Sequence, residues 1–184
     1  MKLLERLKGQ EFENQSEINF SDIDNLIVYA SVGKIDIMQS NMVKPIVYTF
    51  GYRPCEANIK MDISKKDEHT MLVEILTEGN SQKAEINLTI VVPQKCFKHI
   101  AVAGEKITVN IGEEIEAKNL FVQNECGDIN IFSRLFNKIT VLTKKYGNIF
   151  AKINEKIIET VELSAENVEI EFLTGKKIKL GEQT

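Results

Sequence analysis

Tryptophan is absent from the 184 residues, proline and cysteine occur three times each, and histidine occurs twice. The first two are unusual but exclude nothing by themselves; the scarcity of cysteine and histidine does. Cys55, Cys96 and Cys126 are odd in number and far apart, which is not the dense, even set of a secreted disulfide framework. They read as free thiols in a reducing compartment. Two histidines leave little material for an imidazole-based metal or catalytic centre. No stretch approaches the eighteen apolar residues of a membrane-spanning helix. There is no basic excess either: the net charge is −4, whereas a phosphate backbone selects a clear surplus of Lys and Arg, so nucleic acid is not expected as a partner. The segment Met1-Lys2-Leu3-Leu4-Glu5-Arg6-Leu7-Lys8 has neither an uninterrupted apolar core nor a small-residue cleavage site. The expected location is therefore cytoplasmic, with a cell-surface location only if the sequence is truncated.

What is present is an ordinary globular balance, 43% hydrophobic and 27% charged residues, arranged as a repeat. Three stretches of the C-terminal half align. Leu120-Phe121-Val122 leads to Gly127-Asp128-Ile129-Asn130-Ile131. Ile139-Thr140-Val141 leads to Gly147-Asn148-Ile149-Phe150-Ala151. Val161-Glu162-Leu163 leads to Asn167-Val168-Glu169-Ile170. Each unit is an alternating strand, a polar turn and a second alternating strand, with a period of about twenty residues, the range of coiled β architectures. Residues 22–40 carry an earlier copy, with Leu26 and Val28 before Gly33-Lys34 and Ile35 and Ile37 after it. The glycines fit a corner that needs positive φ, and Asp or Asn is the next most tolerant neighbour.

The expected fold is all-β: a single-domain parallel β-solenoid over residues 21–184, with repeat coils at 98–180. Like positions should stack at the inter-strand spacing of roughly 4.8 Å. Four inward columns follow: Leu120, Ile139 and Val161; Val122, Val141 and Leu163; Ile129, Ile149 and Val168; Ile131, Ala151 and Ile170. The competing reading is an antiparallel β-sandwich with hairpins of coincidental similarity. Residues 44–93 hold longer strands with short polar turns and are expected as an antiparallel hairpin section. Pro93 should end the last of these, because proline cannot donate to a ladder. Leu3, Leu4 and Leu7 share one helical face, so residues 1–20 are expected as a short N-terminal helix capping the core, or as an arm. Lys176, Lys177 and Lys179 on the final strand read as a guard against edge-to-edge pairing.

The run Leu88-Thr89-Ile90-Val91-Val92-Pro93, with Gly127-Asp128-Ile129 and Gly147-Asn148-Ile149 after it, resembles the bacterial DUF4097 family of candidate adhesins and their β-strand repeats. The resemblance spans residues 22–180. It implies a β-solenoid scaffold without known catalysis and offers no catalytic residues.

The remaining candidates for chemistry are few. Cys96 and His99 form a Cys-x-x-His pair that could supply two zinc ligands, but Cys126 and His69 are too loosely placed to complete four. Glu113, Glu114, Glu116, Glu125 and Asp128 cluster carboxylates near turns, without the dense Gly/Asp nonapeptides of calcium-binding coils. Nothing sets two of them across a cleft as glycoside cleavage requires. Ser133 and Ser164 lack a base partner. No nucleophile elbow, phosphate loop, dinucleotide fingerprint or His-Glu-x-x-His is present. Phe132, Phe136, Tyr146 and Phe150 gather near the turns, where core packing competes with stacking on sugar rings. No catalytic, cofactor-binding or metal residues and no cofactor are assigned. The expected function is a non-enzymatic structural or interaction module, adhesin-like and self-associating through its ends. The alternative is a glycan- or polymer-binding module using the flat sheet face and the turn aromatics.

Overall fold

The computed structural model describes residues 9–17, 22–54, 57–79 and 84–181, and among them there are fourteen strands and no helix. They are β1 (Gly9–Glu17), β2 (Asn25–Ser40), β3 (Ile46–Pro54), β4 (Ala57–Asp67), β5 (Thr70–Gly79), β6 (Glu85–Pro93), β7 (Cys96–Ile111), β8 (Glu116–Cys126), β9 (Ile129–Ile131), β10 (Leu135–Tyr146), β11 (Asn148–Ile153), β12 (Thr160–Ser164), β13 (Asn167–Phe172) and β14 (Lys177–Gly181). All belong to one mixed sheet that branches along the long strands. The first half of β2 pairs with β5 and the second half with β6, both in parallel. β7 likewise pairs with β8 through its first half and with β9 through its last residues. Two walls result. The first runs β4, β5, β2, β7, β8, β10, β12; the second runs β1, β3, β6, β2, β7, β9, β11, β13, β14.

The alternating pattern builds the core that the repeat predicts. Ile139 is in register with Leu120 and Val161, and Val141 with Val122 and Leu163. Ile149 is in register with Ile129 and Val168, and Ala151 with Ile131 and Ile170. The columns also extend backwards: Met71, Leu26 and Ile100 continue the first, while Leu88, Ile35 and Val109 continue the third. Inward side chains of both walls form one buried cluster. Burying each such side chain contributes roughly 1.5–3 kcal/mol before conformational entropy is subtracted. The parallel registers of β8, β10 and β12 exclude the antiparallel sandwich.

The corner glycines behave as their spacing implies. Gly33, Gly127 and Gly147 have φ of 126°, 115° and 148°. A β-carbon on Gly147 would be driven into the carbonyl oxygen of Gly127, and one on Gly127 into that of Ile107. The corner between β12 and β13 has no glycine, and no non-glycine residue among those described takes positive φ.

The expectations for residues 44–93 and 1–20 fare differently. Within 44–93 the pairings are antiparallel as expected: β3 runs against β6, and β4 against β5. β5 and β6 themselves run parallel to β2, so the first repeat unit lies between them and β7. Alternation on one face carries no label for the direction of a neighbour, so this parallel seating of β5 and β6 on β2 is not legible in the sequence. The expected helix over Leu3, Leu4 and Leu7 lies outside the described residues. The later part of the expected arm, Gly9–Glu17, is β1, an antiparallel edge strand on β3.

Candidate functional site

Tight parallel stacking sets what the side chains can do: positions about twenty residues apart in sequence come within hydrogen-bond reach. Asn148 donates through Nδ2 to Asp128 Oδ1 at 2.9 Å, and Asn167 donates to Asn148 Oδ1 at 2.9 Å. The backbone N–H of Asn148 also donates to Asp128 Oδ1. On the outward face of the second wall, Asn110 donates to Asp36 at 2.6 Å and Asn130 to Asn110 at 2.9 Å. Each ladder runs one way and terminates on a carboxylate, as it must. An amide both donates and accepts, whereas an ionised carboxylate only accepts. The residues after the corner glycines are therefore rung-to-rung ties, which explains why Asn167 persists where the glycine does not. Sequence reasoning took them for turn formers; the signal was already there in the Asp128, Asn148, Asn167 alignment.

A second polar device lies inside. Asn124 is fully buried and donates to the carbonyls of Ile107 at 3.0 Å and Gly127 at 2.9 Å, pinning the corner of β8 to the rung before it. Ser133 is also fully buried, donates to the carbonyl of Ile115 and accepts from the N–H of Leu135. Its hydroxyl closes a turn. Ser164 is exposed on β12.

The sulfur and imidazole candidates do not converge. Cys96 stands opposite Glu116, and His99 opposite Asn119 and Asn25. Burial pushes the Cys96 thiol above its ordinary value and Glu116 adds to the shift, the opposite of an activated thiolate. Cys126 is a buried free thiol. His69 contacts the carbonyl of Asp22 through Nδ1 at 3.0 Å. No group of three or more His, Cys, Asp or Glu that could hold a metal occurs among the described residues.

The carboxylates divide by partner. Lys145 donates to Glu125 at 2.7 Å and holds its carboxyl below the usual range. Glu113 pairs with Lys152 at 3.3 Å. Glu113, Glu114 and Glu116 line one shallow polar depression of about 500 Å³ with Lys95, Gln39 and Gln94. Lys95 is drawn away from them by Asp24 at 3.3 Å and lies 5.5 Å over the Phe97 ring. At the C-terminal end, Lys177 and Lys179 face Glu171 and Glu169 at 3.2 and 2.9 Å. These hydrogen-bonded lysines lower both carboxyls.

The four aromatics separate as well. Phe136 is 1% exposed and belongs to the core, and Tyr146 stands out at 58%. Phe132 and Phe150 meet, with centroids 5.9 Å apart and rings tilted at 48°, and Lys152 lies 5.8 Å over the Phe132 ring. This pair, with Lys152 and Glu113, is the aromatic–polar patch that the structure assembles from the candidates.

No family model matches the chain and no curated protein matches it. Among solved structures, it is similar to a candidate cell adhesion protein from Clostridium sporogenes (15% identity, 88% of this chain and 77% of that chain, TM-score 0.48). It is also similar to candidate adhesins from Bacteroides fragilis (14%, 89% and 88%, 0.42) and Parabacteroides merdae (12%, 89% and 75%, 0.37).

Proposed function

We propose that this chain is a parallel β-solenoid acting without catalysis, as a structural or interaction module of adhesin-like character that associates through its ends. One observation carries the reading. The polar side chains that recur from strand to strand are bonded to one another, in the Asp128–Asn148–Asn167 and Asp36–Asn110–Asn130 ladders, and Asn124 and Ser133 hold corners. Their geometry supports a rigid surface. The sparse, odd set of cysteines in the sequence suits a reducing, cytoplasmic setting. Light scattering across a concentration series tests the module: mass should rise with concentration, and a strict monomer at the highest concentration would contradict self-association.

A second reading is favoured by the Phe132–Phe150 pair. Tilted aromatic rings beside Lys152 and Glu113 suit a sugar ring, which presents an apolar face and a polar rim. A glycan array with the intact protein, repeated with Phe150→Ala, tests it. Binding lost in the variant supports this role, and an empty array with the native protein removes it.

A further inference from the structure

Four strands have a single partner among those described: β1, β4, β12 and β14. Among the described strands the two walls are unequal at both ends. β14 lies beyond β13 on the second wall, with no counterpart beyond β12. At the other end, β1 lies beyond β3, with no counterpart beyond β4. The second wall thus reaches further, and its edges β1 and β14 meet another molecule first.

These two edges carry opposite charge. On β1, Glu11 and Glu13 are exposed, and their register with Tyr52 and Phe50 puts them on the outward face. On β14, Lys177 and Lys179 are on the same outward face, in register with Glu171 and Glu169, and their side chains are 53% and 76% exposed. Like edges repel. A β14–β14 antiparallel pair sets lysine against lysine, and a β1–β1 pair sets Glu13 against Glu13. The lysines guard β14 against its own kind, but not against β1.

Strand direction agrees. On the second wall β1, β6 and every rung run one way, while β3 and β14 run the other. A copy displaced along the stack axis therefore brings its β1 antiparallel to β14, without rotation. We propose that the molecule associates head to tail, with β14 of one copy adding to β1 of a second copy. In the register with Gly181 opposite Gly9, Lys179 faces Glu11 and Lys177 faces Glu13. Each lysine then sits between two carboxylates, Glu169 or Glu171 of its own chain and a β1 glutamate of the second copy. The contact is heterologous, so it grows into open chains unless rotation closes it.

This assignment rests on the self-association reading above, and the experiment separates the two. Two variants are made, Glu11→Lys with Glu13→Lys and Lys177→Glu with Lys179→Glu, and mass is followed by sedimentation at low salt. Each variant alone has like charges on both edges and should associate roughly tenfold more weakly or worse. The equimolar mixture should recover association, because the altered β1 of one variant meets the altered β14 of the other, and the native β14 of the first meets the native β1 of the second. Native protein should dissociate as salt is raised. If the variants associate as the native protein does, or the mixture fails to recover, the β1–β14 assignment is wrong and end-association stands. A native protein that never associates overturns both. Because Lys177 and Lys179 also pair within the chain, a melting curve accompanies that variant. If it does not fold, Lys177→Gln with Lys179→Gln replaces it and must weaken association, while the β1 variant alone must still associate roughly tenfold more weakly than the native protein.

Discussion

At the residue scale the corners are the most constrained positions. Gly147 has φ of 148° and its missing β-carbon would strike the Gly127 carbonyl. Gly147→Val should lower stability by at least about 1 kcal/mol from backbone strain alone, with the steric clash added, read from a urea melt; an unchanged midpoint would refute the corner geometry. Ile149→Asp should be worse, because it places a charge in a fully buried column with no partner. Asn124→Ala should cost about 1–3 kcal/mol, because the buried bond to the Ile107 carbonyl is lost, more than Asn148→Ala on the exposed ladder, and comparing the two melts tests that order. The corner glycines and the aliphatic columns were legible in the sequence because the aliphatics alternate along each strand and glycine recurs at like points of the repeat. The ladders were not, since an Asp or Asn after glycine satisfies a turn rule equally well. Only the stacking distance shows that Asp128, Asn148 and Asn167 touch.

At the element scale, the repeat strands were readable from alternation, whereas β1, whose Gly9–Glu17 is nearly all polar, and the order of β2 were not. Val28 and Ile35 look like any inward pair; nothing local says that β2 sits between β5/β6 and β7, with partners over forty residues away. For the candidate site, Phe136 and Phe150 have equal claims in sequence, and only the fold buries one and pairs the other with Phe132. The β13–β14 hairpin gives a test by pH. Glu169 and Glu171 have lowered pKa values because Lys179 and Lys177 hydrogen-bond to them. A depressed carboxyl contributes stability above its unfolded value, about 4.3, and loses it as pH falls through the lower folded value. Amide exchange across residues 167–181 should therefore accelerate, relative to its intrinsic rate, as pH drops below that range, before the β8–β10 core opens. Uniform protection down to the global transition would contradict the role of these pairs.

At the scale of the whole molecule, one mixed sheet carries parallel strands in register along both walls, the walls differ in length, and the β1 and β14 edges differ in charge. Stability is shared between neighbours, since no rung can bury its own face. A glycan-binding patch or an end-to-end assembly would each be a use of that rigid stack, and each depends on it. Methyl NOE spectroscopy on the folded protein examines the stack directly. Contacts from Ile149 to both Ile129 and Val168, and from Val141 to both Val122 and Leu163, are the result this account requires. Contacts of an antiparallel pairing between β8 and β10, with Ile149 remote from Ile129 and Val168, would contradict it.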